Sequence, residues 1–400
     1  MIGQRSDWGS GATIGDERED ARHRRDAGQV LRHGGYDVEM STTETDPSWD
    51  AFVAGTPGGH HVQTSLWGQL KASEDWWPVR VLVRRDGELV AGVQVLIRTV
   101  PWVGAVAYAP KGPVIPSASP DVMQVLIDGL DHLASSHRIR HLTVQPANDG
   151  GAFVGPLRHA GYRPSDAAVA PVATVQIDVR ADPETILARM RKNHRRYVRH
   201  GLRQGVEGRV GTEHDLEAFH RLVVATSERQ GFEPHPFAHF VRLWHLFRPG
   251  GLIQLFISEY RGGMISGQLA IAFGERVIAK NSGWTGQHGS LGPNHVMEWT
   301  TLLWAKANGY RYYDLEGIDV RAARLALAGQ SQPDHLRRTH SFYKLGFGGE
   351  VVMFPGAYVK VPNAALRWGY WTLFPHLGRM RIAKSAINRL RTPMNRVRTR

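Results

Sequence analysis

Short runs rich in valine, isoleucine and leucine at Val79–Arg84, Leu89–Thr99 and Val103–Tyr108 predict three strands, the first two joined by a turn at Asp86-Gly87. Val122, Val125, Leu126, Leu130 and Leu133 then fall on one face of a helix from Asp121, its expected cap, to about Ser136. His141–Gln145 is the next strand. Upstream, a short helix around Trp49 to Val53 leads into Gln63–Lys71. Residues 1–39 are rich in Gly, Arg, Asp and Ser without a sustained apolar period, so they read as a disordered extension ahead of a second start at Met40.

The same order returns in the second half. Leu252–Tyr260, a turn at Arg261-Gly262-Gly263 and Met264–Phe273 mirror the first hairpin. Gly92 matches Gly267, Gly112-Pro113 matches Gly292-Pro293, and Arg138 matches Arg311, with 46 and 44 residues from matched glycine to matched arginine. Two intervals this close, carrying the same element order, predict an internal duplication.

Composition narrows the chemistry. A length of 400 residues suits two domains, and zero cysteines exclude a thiol nucleophile, a disulfide framework or a thiolate metal site. No apolar run approaches the roughly 20 residues that span a bilayer. Of the net charge of +12, residues 361–400 supply +9, with nine Lys/Arg and no Asp/Glu, so the body is nearly balanced. Leu366, Trp368, Tyr370, Trp371 and Phe374 precede that basic stretch. Such a tail suits an anionic membrane surface or an RNA backbone, or is a docked apolar helix with a frayed end.

Lysine is rare, 8 residues against 41 arginines, which draws attention to Lys344 between Tyr343 and Leu345 before a glycine-punctuated turn. A compact ammonium there can hold a phosphate or steady an oxyanion, and the plain alternative is a surface lysine beside packed aromatics. Asp182-Pro183-Glu184 opens a helix with an N-cap, Pro at N1 and an acid in the first turn. Its basic positions include Arg195 and Arg199 one turn apart, an unfavourable pair unless an anion lies between them. Asp314 ends a strand beside Gly317, as a functional carboxylate or a turn cap. His235 and His239 are four apart without a third ligand in sequence, so no metal is expected. Neither a G-x-S-x-G elbow nor a clear pyrophosphate loop for acetyl-CoA occurs.

Phe342-Tyr-Lys-Leu-Gly-Phe-Gly-Gly-Glu350 resembles the closing motif F-K-x-G-F-G-G-E of the FemABX family of aminoacyl-tRNA-dependent peptidoglycan bridge transferases. Gln63-Thr-Ser-Leu-Trp67 with Lys71 resembles its opening Q-x-x-x-W-x-x-x-K signature. Met190–Arg195, Val198-Arg199 and Gly205-Val206 resemble its basic helix, and Gly292-Pro-Asn294 through Asp314-Leu-Glu-Gly317 its later helix and strand end. Tyr343 stands where the family usually has Phe, and Gly201 where it usually has Ala. Without the long helical arm of the larger members, the chain resembles the compact FemX type.

The resemblance implies an α/β fold of tandem GNAT-like domains, mixed sheets with flanking helices. The expected division is a first domain of 40–172 plus about 350–375, a second of 173–349, and a basic tail of 376–400. It further implies transfer of an amino acid from aminoacyl-tRNA, the co-substrate, to a stem-peptide amine of lipid II or a UDP-linked muropeptide, with no other cofactor. Lys344 would be catalytic. Trp67, Lys71, Arg195, Arg199, Tyr343 and Asp314 would bind substrate, Lys71 and Arg195 together on the pyrophosphate. Lys344 and Arg195 are thus expected to point into one cleft. An ester is already activated, so positioning and oxyanion stabilisation suffice and no nucleophile is needed. The expected setting is a cytoplasmic monomer held to the inner membrane face by its tail. A metabolite or antibiotic acceptor, an acyl-CoA donor, and a non-catalytic membrane- or RNA-binding protein are the alternatives.

Overall fold

A computed structural model describes residues 30–116, 119–147 and 150–362; the aromatic segment and basic tail beyond lie outside the described residues. In the first sheet are β1 (Val30–His33), β2 (Tyr36–Ser41), β3 (Trp77–Arg85), β4 (Glu88–Val100), β5 (Gly104–Pro110), β6 (Ile139–Gln145) and β7 (Arg163–Ser165). The second holds β8 (Ala173–Asp178), β9 (Glu207–Val210), β10 (Ile253–Tyr260), β11 (Gly263–Phe273), β12 (Arg276–Trp284), β13 (Tyr312–Asp314) and β14 (Glu350–Met353). A last strand, β15 (Ala357–Lys360), returns to the first sheet, giving the orders β1-β2-β3-β4-β5-β6-β15-β7 and β14-β8-β13-β12-β11-β10-β9.

The two sheets repeat one plan. β3-β4-β5 and β10-β11-β12 are antiparallel, and β5-β6 and β12-β13 are the parallel pairs. The matched glycines show why the repeat carries them. A Cβ on Gly92 would stand 2.6 Å from the Trp49 ring, and one on Gly267 2.9 Å from the Phe219 ring. Each second strand therefore leaves room for an aromatic side chain of a flanking helix, Pro47–Gly55 in one domain and Leu216–Gln230 in the other.

Central strands bury both faces. Val79, Val81 and Val83 of β3 join the core beneath the helix Pro120–Ser136, while Leu82 points the other way. That other face packs with Trp49, Leu70 and Leu96 against Phe219, Phe240, Phe247, Leu255 and Ile271 of the second domain. One apolar cluster thus belongs to both domains, and its burial fixes them against each other.

Four expectations change. Asp121 lies in the first turn of its helix, and the cap position is Ser119. The expected helix from Asp182 onward is two, Pro183–Arg189 and Lys192–Arg203, because Met190 has an extended ψ of 151°. Glu350–Met353 pairs with β8 of the second sheet, so among the described residues of that segment β15 is the strand that returns to the first domain. Residues 30–39, expected to be disordered, are ordered: β1 and β2 form an antiparallel edge pair and β2 docks on β3, while the rest of that expectation lies outside the described residues. The alternation that places Tyr36, Val38 and Met40 in the core was present in the sequence but short. A chain starting at Met40 lacks the buried Tyr36 and Val38 and is expected to lose roughly 3 kcal/mol or more of stability, read as a lower urea midpoint.

Candidate active site at the domain seam

The site begins with a buried glutamine. Gln63 donates to the carbonyls of Gln94 (3.1 Å) and Pro110 (2.8 Å) and accepts from the Gln94 amide (2.7 Å). It thereby pins the start of the helix Ser65–Ala72 to β4 and the end of β5. Thr64 caps that helix by accepting from the Trp67 amide at 3.2 Å. Trp67 and, one turn on, Lys71 are then held on the wall of a cavity of about 170 Å³ between the domains. His60, Tyr108 and Lys111 from the first domain, and Thr174, Lys280, Asp314, Glu316 and Gly317 from the second, complete much of its lining.

Charge organises this space. The Lys71 and Lys280 ammonium groups lie 5.3 and 5.2 Å from the centre of the Trp67 ring. Lys71 pairs with Glu74 at 2.6 Å, and Glu74 meets His239 of the second domain at 2.9 Å. His239 and Lys71 hold the Glu74 carboxyl down to about 2 against the opposing effect of burial. Lys280 pairs with Glu316 at 2.8 Å. Asp314 accepts from Thr174, from Gln176 at 2.9 Å and from the Glu316 amide at 2.7 Å. It caps the turn and also lines the cavity. Burial keeps His60 neutral, its pKa well below the usual imidazole value.

Lys344 stands behind this wall. Its ammonium donates to the carbonyls of Glu316 (3.2 Å) and Gly317 (2.9 Å), which line the cavity. Burial lowers its pKa, opposed by Glu316, Glu298 and Asp314. Below it, Tyr313 donates to Glu298, and Gln268 donates to the same carboxyl at 3.2 Å. The three glycines of the closing motif are packing residues. A Cβ on Gly346 would fall 2.0 Å from the His194 ring, one on Gly348 2.1 Å from the Arg189 carbonyl, and one on Gly349 2.5 Å from the Gln176 carbonyl.

The expected residues are therefore only partly brought together. Trp67, Lys71 and Asp314 share the cavity, and Lys344 is adjacent to it. Arg195 is elsewhere: its guanidinium donates to the carbonyls of Ala188 (2.7 Å) and Met190, closing the end of the preceding helix. Arg199 pairs with Glu184 at 3.0 Å. These partners answer the like-charge pair, and Arg195 does not line the seam cavity beside Lys344 as expected. Tyr343 is partly buried against His194, His295 and Phe347, with its buried hydroxyl unpartnered among the described residues. A third group does stand by His235 and His239, with ligand atoms within 4.8 Å: Glu74, which sequence spacing did not show because it comes from the other domain. Its oxygens already accept from Lys71 and His239. Lys111 and Lys280 were missed, although the rarity of lysine that singled out Lys344 applied equally to them.

Comparison with known proteins agrees with this anatomy. A model of the FemAB family matches residues 43–152 and one of an acetyltransferase (GNAT) domain matches residues 188–323. Lipid II:glycine glycyltransferase of Staphylococcus aureus (strain MRSA252) is 23% identical over 226 residues, 54% of this chain and 54% of that protein. The chain thus matches about half the length of these curated relatives. A crystal structure of FemX superposes with a TM-score of 0.73 at 18% identity, covering 84% of this chain and 99% of that one. The C-terminal domain of a putative lysylphosphatidylglycerol synthetase from Agrobacterium fabrum gives 0.50 at 12% identity, covering 80% and 92%. The resemblance to the FemAB family and the tandem GNAT-like fold both hold.

The Glu298 carboxyl, wholly buried, is pushed up to about 7 by desolvation. Between pH 4.5 and 7 the unfolded carboxyl ionises while the folded one keeps its proton, so this group makes stability fall as pH rises. Glu298→Gln is expected to remove about 3 kcal/mol of that fall, measured as the difference in urea unfolding between pH 4.5 and 7.5 for the two proteins.

Proposed function

We propose that this protein transfers an amino acid from the 3′ ester of an aminoacyl-tRNA to a stem-peptide amine of a peptidoglycan precursor, lipid II or its UDP-linked form. The observation that carries the reading is the seam cavity, where Lys71 and Lys280 flank Trp67 beside Lys111. Two ammonium groups, those of Lys71 and Lys280, in one partly enclosed space suit a diphosphate-bearing substrate. The family-level matches favour a bridge-forming acyl transfer over other uses of that chemistry.

In this reading Lys71 and Lys280 hold the diphosphate of the acceptor. Lys344 fixes the Glu316–Gly317 turn from behind and adds positive potential where the tetrahedral oxyanion develops. The ester carbon needs no enzyme nucleophile, and the gain comes from holding amine and ester in register. Arg191, Lys192, Arg196, Arg199 and Arg203 are exposed along the basic helix and meet the tRNA backbone by salt-sensitive contacts. Among the described residues no helix is long and apolar enough to cross a membrane. Contact with the inner membrane face falls to the basic tail.

The GNAT-domain match is the observation that favours an acyl-CoA donor instead. Mass spectrometry of lipid II after incubation with a charged tRNA pool should show the mass of one or more amino acids, lost after ribonuclease treatment. A product that survives ribonuclease and requires acyl-CoA reverses the donor assignment. Lys280→Ala is expected to raise KM for the acceptor at least tenfold with a smaller change in kcat, in steady-state assays of the same reaction.

A further inference from the structure

Resting on this reading of the cavity, we propose that Lys111 is the general base that takes the proton from the attacking amine. Its side chain lines the cavity yet is only 2% exposed. The other two cavity lysines have carboxylate partners at 2.6 and 2.8 Å. Lys111 has none within 4 Å among the described residues; its ammonium position donates to the Pro171 carbonyl at 2.9 Å and sits 3.6 Å from the centre of the Phe354 ring. A buried lysine without a counter-ion favours its neutral form, and the neutral form is the one that accepts a proton. Asp314 and Glu316 oppose this from the end of β13, whereas Arg276 and Lys280 of β12 reinforce it. The balance brings Lys111 down to about 7, with burial the main cause. Its backbone is also in the left-handed region, at φ 53°, a conformation a lysine adopts at a cost.

The other candidates are occupied or mismatched. Asp314 spends its oxygens on Thr174, Gln176 and the Glu316 amide, and Glu316 is bound by Lys280. His60 is held neutral so firmly that it is a weak base at physiological pH. In the step itself, the acceptor nitrogen bonds to the ester carbonyl carbon and its proton passes to the Lys111 Nζ. The carbon–oxygen bond to the ribose then breaks, and the leaving oxygen takes the proton back. An amide and a free ribose hydroxyl result, and Lys111 returns neutral. While it carries the proton, the Pro171 carbonyl and the Phe354 face receive the ammonium.

The test is the pH dependence of single-turnover transfer by the full chain, with charged tRNA and lipid II, for wild type and Lys111→Arg. Arginine stays protonated and cannot take the amine's proton, so the rate should fall at least about a hundredfold at pH 7. The inflection near pH 7 should vanish, while KM for lipid II changes only a few-fold. Wild-type product with the inflection intact in Lys111→Arg overturns this inference alone. No product from wild type with any charged tRNA overturns the underlying reading and this inference together. A second measurement uses the native side chain: after reductive ¹³C-methylation, the Lys111 resonance should titrate near neutrality, and a midpoint above pH 9 overturns the proposal even if the variant does not fold.

Discussion

Four of the eight lysines, Lys71, Lys111, Lys280 and Lys344, converge on the seam between two domains, and burying that much positive charge constrains everything around it. An ammonium removed from water needs a partner or loses its proton. The protein uses both answers. Glu74 and Glu316 neutralise the two lysines that flank Trp67, two backbone carbonyls hold Lys344, and Lys111 is left with one carbonyl and a ring face. What distinguishes the four is therefore how far each is already satisfied before a substrate arrives.

The duplication makes such a seam available. Each half contributes a sheet built around one parallel strand pair, and the apolar cluster from Trp49 to Phe273 locks the halves in one relation. The links between them are short and reciprocal: β15 completes the first sheet after the chain has finished the second. Glu74 adds a polar tie across the same seam by pairing with His239. A small displacement of either domain would part Lys71 from Lys280, so packing energy in the apolar cluster is what keeps the charges in register.

Most of the architecture was legible in the sequence because its strands and helices keep clean periods and its two halves repeat. Gly92 and Gly267 marked the duplication, and the structure shows each making room for an aromatic ring. The site was less legible. Trp67, Lys71 and Asp314 reach the cavity, but Arg195 does not, because a break at Met190 turns its guanidinium onto carbonyls of its own chain. A helix written as continuous basic spacing hides such a break, since Met190 is no helix breaker. Lys111 and Lys280 lie outside the longer motifs and come together only through tertiary packing. Their scarcity as a residue type was the one signal in the sequence that pointed to them.

Photo-cross-linking tests the central claim most directly. A lipid II analogue with a photoreactive group beside its diphosphate, irradiated with the full chain and mapped by peptide mass spectrometry, should attach to the segments carrying Trp67–Lys71 and Lys280. Attachment confined to the helix Lys192–Arg203, with the seam peptides unmodified, would contradict the account.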